Sequence, residues 1–218
     1  MKNNGEVKLE FMEAYFKGLN NKITFLKELF DDGHKEEALL LCCCYIEGLG
    51  NQLYWPTDGS CRNFVYILKE HSIKKILWHI HPKQLQIGLS EARNSRVREI
   101  GKKLEAILIE ARKANVLYPE KEILLLSETV LKVDELEKLS QNLWRGTIAA
   151  IAYDRIRSEL VHRLGAVDVS FSNMTFEGHA LPNIDFELLY SPLMHVFVYV
   201  KELSLSSGKW FGHDFDQA

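Results

Sequence analysis

Apolar residues recur at three- and four-residue steps near the start of the chain: Phe11, Tyr15, Phe16, Leu19, Ile23, Leu26, Leu29 and Phe30. This spacing follows the helical turn and predicts one amphipathic helix from about residue 6 to 31. The DDGH step, Asp31 to His34, supplies a stop and a restart. The next run, EEALLLCCCYIEGLGNQLYW, is apolar on nearly every side over its middle, which marks a helix central in a bundle. The turn PTDGS, Pro56 to Ser60, closes it.

Residues 62–80 read as two shorter helical pieces, and His81-Pro82 is a breaker. A further helix is expected from Lys83 to about Ala114, followed by a turn over Asn115 to Pro119. The segment Lys121 to Val133 carries both helical and strand patterns and is read as helix. A long helix is then predicted from Asp134, an N-cap with Glu137 three positions on, to about Leu164, with Gly165 as its C-cap. VDVSFS and MTFEG alternate with period two and predict a small β-hairpin. The last helix is placed from Pro192, by the preference of proline for a first helical turn, to Leu205. The polar tail 206–218 is expected to be loosely held. Neither an internal repeat nor a low-complexity linker interrupts the pattern. The expectation is a single all-α domain over 1–218, a helical bundle with a small hairpin.

Composition narrows the function classes. With 218 residues, 46% of them apolar and 26% charged, the chain has the make-up of a soluble globular protein able to bury a sizeable core. Its 27 basic and 30 acidic residues leave a net charge of −3, so any site for a polyanion has to be local. No apolar stretch is long enough to suggest a membrane span, and the first residues lack the apolar core of a signal peptide. A cytoplasmic location is the expectation. Cys42, Cys43 and Cys44 are consecutive, so their side chains point about 100° apart on a helix and do not wrap one metal ion. They read as small apolar residues of a buried helix in a reducing compartment. His79 and His81 alternate beside a proline without a carboxylate or cysteine at helpful spacing, and read as loop histidines. Phosphate-loop, dinucleotide, zinc-protease and serine-hydrolase signatures are absent, and no cofactor is expected.

What remains is RIRSELVHRLGA, Arg155 to Ala166, at the end of a long apolar-periodic run. Ile148, Ala152, Ile156, Leu160 and Leu164 form a core stripe at four-residue steps, with Asp154, Ser158 and Val161 opposite. Arg157 lies to one side of that stripe and His162 well round on the other. Five steps on an ideal helix leave a net rotation of roughly 140°, so one helix does not bring the two side chains together. A second copy laid antiparallel across a two-fold axis would, with Arg157 of one copy approaching His162 of the other.

Arg157-Ser158-Glu159-Leu160-Val161-His162 resembles the R-x(4–6)-H motif of HEPN domains, as does its place near the end of a late helix in an all-α bundle. Catalytic members of that family are metal-independent endoribonucleases that work as dimers and use the RNA 2′-hydroxyl as nucleophile. They serve as toxins of toxin–antitoxin pairs and in phage defence. The resemblance implies that His162 is a general acid/base and that Arg157 clamps the scissile phosphate. It gives Ser158 the polar position after the arginine, where the family more often has Asn, Asp or His. Implied partners are a second copy, RNA, and an antitoxin or nucleotidyltransferase. Asp154 and Glu159 are carboxylates placed to oppose phosphate binding, and the family includes non-catalytic members, so a dimerisation or protein-interaction module is the rival reading. On the RNA reading, the basic segment Arg93, Arg96, Arg98, Lys102 and Lys103 is a candidate backbone-tracking face, and Tyr153, four residues before Arg157, a stacking neighbour. Otherwise the segment is a solvated face, the arginine an ion-paired flank residue and the histidine a partner of the helix C-terminus.

Overall fold

A computed structural model describes residues 4–55, 59–114, 116–158, 175–176, 179–180 and 186–213. It is mostly helical, as the periodicity predicts, and its described residues fall into two compact units that no linker in the sequence announces. One unit holds the described residues up to Ile73 and from Phe186 onward, and the other those from Lys74 to Ser158 with the two short strands. No described helix is long and apolar enough to cross a membrane.

The first unit is built from α1 (Asn4–Asp31), α2 (Lys35–Leu53), α3 (Ser60–His71) and α9 (Phe186–Ser207). α1 buries Phe16, Leu19, Ile23 and Leu26 of the stripe its spacing predicts, with Met12 beside them, while Phe11 and Tyr15 at its start are exposed. Gly33, at φ 96°, takes the left-handed conformation that ends it. α2 packs on all three other helices, which is why it is apolar on most sides. Cys42 and Cys43 are buried there as free thiols, and burial followed by the Glu187 charge pushes the Cys42 thiol upward. A Cβ on Gly50 would lie 2.8 Å from the Asn63 carbonyl oxygen, so α2 and α3 touch almost backbone to backbone. Asn63 Nδ2 donates to Asn51 Oδ1 at 3.0 Å across the same seam.

Two expectations fail in this unit for the same reason. α9 begins at Phe186 and runs through Pro192. Phe186, Leu189, Pro192 and Leu193 are all buried, and Phe186 stacks on Phe30 at 4.4 Å, so apolar burial offsets the ladder bond that proline removes. The tail folds back instead of trailing away, as far as His213. Phe211 is 1% exposed, its N–H donates to Ser204 Oγ at 3.1 Å, and Trp210 lies 4.7 Å from Tyr15. Residues 214–218 lie outside the described residues.

Where α2, α3 and α9 meet, the Tyr54 hydroxyl donates to Glu70 Oε2 at 2.7 Å, His71 Nε2 lies 3.7 Å from that oxygen, and the His71 ring stacks on Tyr199 at 3.6 Å. Burial lowers the His71 pKa below its ordinary 6.5, against the opposing pull of Glu70. As pH falls, the unfolded chain therefore takes up this proton before the folded one does. The stability held by the neutral ring is complete above about pH 6.5 and is lost below it. The urea midpoint of the full chain is expected to fall between about pH 7 and 5, and His71→Gln to flatten that fall. An unchanged slope in the variant would contradict this assignment.

The second unit centres on the extended stretch His79-Ile80-His81, which bridges Tyr118 on one side and Thr147 on the other. Ile80 and Tyr118 exchange two backbone bonds of 2.7 and 3.0 Å, His81 N–H donates to Gly146, and Ile148 N–H donates to His79. Around it stand α4 (Pro82–Ser90), α5 (Ser95–Lys113), α6 (Glu120–Ser127), α7 (Val133–Ser140) and α8 (Ile148–Ala152), with 3-10 turns at Lys75–Trp78 and Leu143–Gly146. The helix expected over 83–114 is therefore broken at Glu91 to Asn94. Asn94 Oδ1 caps α5 by accepting from Arg96 N–H at 2.9 Å, and Ala92 is buried in the break. The helix expected over 134–164 is likewise broken after Ser140, and α7 starts one residue before Asp134, with Glu135 accepting from Lys132 N–H at 3.1 Å. In the hairpin region, the described residues carry one two-residue antiparallel ladder, β1 (Thr175–Phe176) with β2 (His179–Ala180). VDVSFS lies outside the described residues.

Candidate functional site

The motif segment grows from Thr147. Its hydroxyl donates to the Trp144 carbonyl at 2.8 Å and accepts from Ala150 N–H at 3.1 Å, which caps α8 and fixes its direction. Ile148 to Ala152, the sequence IAAIA, is buried on every side, and its alanines leave room for close neighbours. Ile156 is also fully buried, so the described part of the predicted core stripe (Ile148, Ala152 and Ile156) faces inward.

From Tyr153 to Ser158 the chain continues as a π-helix. Such a turn closes its hydrogen bonds five residues back, is rare, and occurs frequently at functional sites. The α-helical wheel, with its 140° separation over five steps, therefore stops describing the motif at Tyr153. On this turn Tyr153 is 7% exposed and Arg157 half-buried, with the guanidinium carbon 5.6 Å from the tyrosine ring centroid. Tyr153 and Arg157 thus lie side by side, and a cation held over a ring face loses part of its freedom to wander. Asp154 is exposed. The side chain of Ser158, and all of Glu159 and His162, lie outside the described residues.

The five basic residues singled out on α5 and just before it divide in two. Arg98 donates to the carbonyls of Ala92 and Arg93 at 2.7 and 2.9 Å, which closes the break between α4 and α5. Lys102 pairs with Glu99 at 2.8 Å, and Lys103 with Glu135 of α7. The two lysines, by hydrogen bonding first, hold those carboxyl groups below the usual range. Arg93 and Arg96 are exposed and take no ion pair among the described residues. A continuous phosphate-tracking stripe is therefore reduced to two arginines next to neutralised neighbours.

His79 and His81 serve the backbone. His81 is 2% exposed and its Nδ1 accepts from Gln84 N–H at 3.3 Å as the cap of α4, while His79 Nδ1–H donates to the Lys75 carbonyl at 3.1 Å. Among the described residues no three His, Cys, Asp or Glu side chains converge as a metal site. Just ahead of the α8 cap, Arg145 lies 4.5 Å over the Trp144 ring, a contact the sequence spacing does not announce. The two are adjacent in sequence, and a helix-spacing search does not pair adjacent residues. Compared with family models, with curated proteins and with solved structures, the chain matches none of them.

Proposed function

We propose that the chain is an RNA-directed protein of HEPN-like architecture, a metal-independent endoribonuclease that acts as a homodimer in a toxin–antitoxin or phage-defence setting. The observation that carries this reading is Arg157 itself: a half-buried guanidinium on a π-helical turn, seated over Tyr153, opening the stretch RSELVH. Supporting it are the predominantly helical fold and the buried α8 that anchors the turn.

In this reading His162 takes the proton of the RNA 2′-hydroxyl as that oxygen attacks the adjacent phosphorus. The bond from phosphorus to the departing 5′-oxygen breaks, solvent protonates that oxygen, and a 2′,3′-cyclic phosphate remains. Arg157 stabilises charge developing on the non-bridging oxygens, a task for a planar and permanently charged fork. Ser158 contacts the phosphate or orients His162. Arg93 and Arg96 are the residues best placed to add salt-sensitive backbone contacts.

Expression of the wild type is expected to arrest growth and fragment total RNA. His162→Ala, at equal soluble yield, is expected to do neither. Equal behaviour of the two proteins would sink the nuclease and leave the dimerisation or protein-interaction module.

A further inference from the structure

The turn that closes the described chain holds a bulky residue in a backbone conformation that glycine takes freely. His213 N–H donates to the Trp210 carbonyl at 2.8 Å, and both residues between them have positive φ, Phe211 at 50° and Gly212 at 83°. For an aromatic residue that conformation is a genuine outlier. Phe211 is the one non-glycine held there among the described residues, and it is also 1% exposed. Strain of this kind persists only where the surroundings over-determine it, and it gathers at clamps and switches.

Those surroundings have the make-up of a peptide slot. The Phe211 ring centre lies 5.8 Å from that of Phe16 and 6.1 Å from that of Tyr15, both on α1. Its N–H is met by Ser204 Oγ of α9, a buried hydroxyl whose own proton goes to the Val200 carbonyl at 2.8 Å. Two residues on, His213 Nε2–H reaches the Gln52 and Leu53 carbonyls at 3.2 Å each. These close α2, where the last carbonyls lack helical partners and the dipole favours a cation. Gly208, at φ 65°, joins the segment to α9 through a residue of wide backbone freedom.

We propose that Gly208–His213 is a releasable strap, filling in cis a slot that takes a segment of a partner protein. The partner inserts an aromatic side chain beside Phe16, bonds Ser204 through its N–H, and sets a histidine, lysine or arginine against the end of α2. Entering with extended backbone, it escapes the strain that the strap carries, and so displaces it. The slot does not depend on Arg157 or on RNA cleavage.

The test uses the full chain and a labelled hexapeptide, Lys-Trp-Phe-Ala-His-Asp, read by fluorescence anisotropy. Alanine replaces the strap's glycine, which disfavours the left-handed turn. Phe211→Ala empties the slot, and His213→Glu loosens the strap while leaving Phe211 in place. Both variants are expected to bind the peptide at least about tenfold more tightly than the wild type, because less of the slot is self-occupied. A peptide with alanine for phenylalanine is expected to bind none of the three proteins. In the wild type, the Phe211 amide is expected to exchange its hydrogen by local opening, far faster than the amides of α2. Phe211 exchange as slow as that of α2 would overturn the proposal. So would peptide affinity unchanged in both variants, equal binding of the two peptides, or sedimentation showing that the strap joins two copies of this chain.

Discussion

Arg157→Ala is expected to lower RNA cleavage by about 10²–10³-fold, the loss typical of removing one group that stabilises charge in a transition state. Arg157→Lys recovers only part of it. Lysine keeps the positive charge but not the planar fork that can bind two phosphate oxygens at once and sits over the Tyr153 ring. Tyr153→Leu is expected to fall between wild type and Arg157→Ala, because the guanidinium survives without its platform. The measurement is single-turnover cleavage of an end-labelled RNA in the presence of EDTA. If Arg157→Ala cleaves as fast as the wild type, the guanidinium has no part in the chemistry.

Gly146→Ala is expected to cost about 2–3 kcal/mol of stability, as overpacking of a tight core does. A Cβ at this position would lie 2.6 Å from Leu85 Cβ and 3.0 Å from both Leu85 Cα and Ile80 Cγ2. Two of those atoms are at the root of a side chain, so no flexible end can swing aside. Retreat of the backbone is costly too, since the Gly146 carbonyl accepts the 2.8 Å bond from His81 N–H that ties the central strand to the motif segment. Thermal melts of the full chain are expected to drop by roughly 5–10 °C. Gly18→Ala is the control: nothing lies within 4 Å of a Cβ there, and alanine in an exposed helix interior is expected to stabilise by up to about 1 kcal/mol. A Gly146→Ala melt indistinguishable from the wild type would contradict the packing described.

The elements that were legible in the sequence are those whose own pattern decides their environment. α1 shows its buried stripe in its spacing, and α2 shows its central place by being apolar all round. The two long helices, over 83–114 and 134–164, were overread because periodicity ran across breaks that contain no proline. Asn94 and Thr147 are ordinary cap types, but they open new helices here because other parts of the chain complete the break before them. Arg98 reaches back to the Ala92 and Arg93 carbonyls, and His79 and His81 bond across to Ile148 and Gly146. Pro192 shows the opposite case, a strong local signal overridden by the burial of Phe186, Leu189 and Leu193 on the same helix. At the site, Tyr153 beside Arg157 follows from a four-residue step. The π-helical turn beneath them does not, because no side-chain spacing announces bonds that close five residues back. The pairing of Lys103 with Glu135 joins residues 32 apart, which is beyond any reading of a local charge run.

The central claim is that two copies of the chain complete one site, Arg157 from one and His162 from the other. Mixing Arg157→Ala protein with His162→Ala protein, each inactive alone, tests it directly in an EDTA-buffered cleavage assay. Random exchange makes half the dimers mixed, each with one intact pair of two, so about a quarter of wild-type activity is predicted to return. A mixture as inactive as its parents, at subunit exchange verified by mass, would show that the guanidinium and imidazole do not meet across a dimer axis.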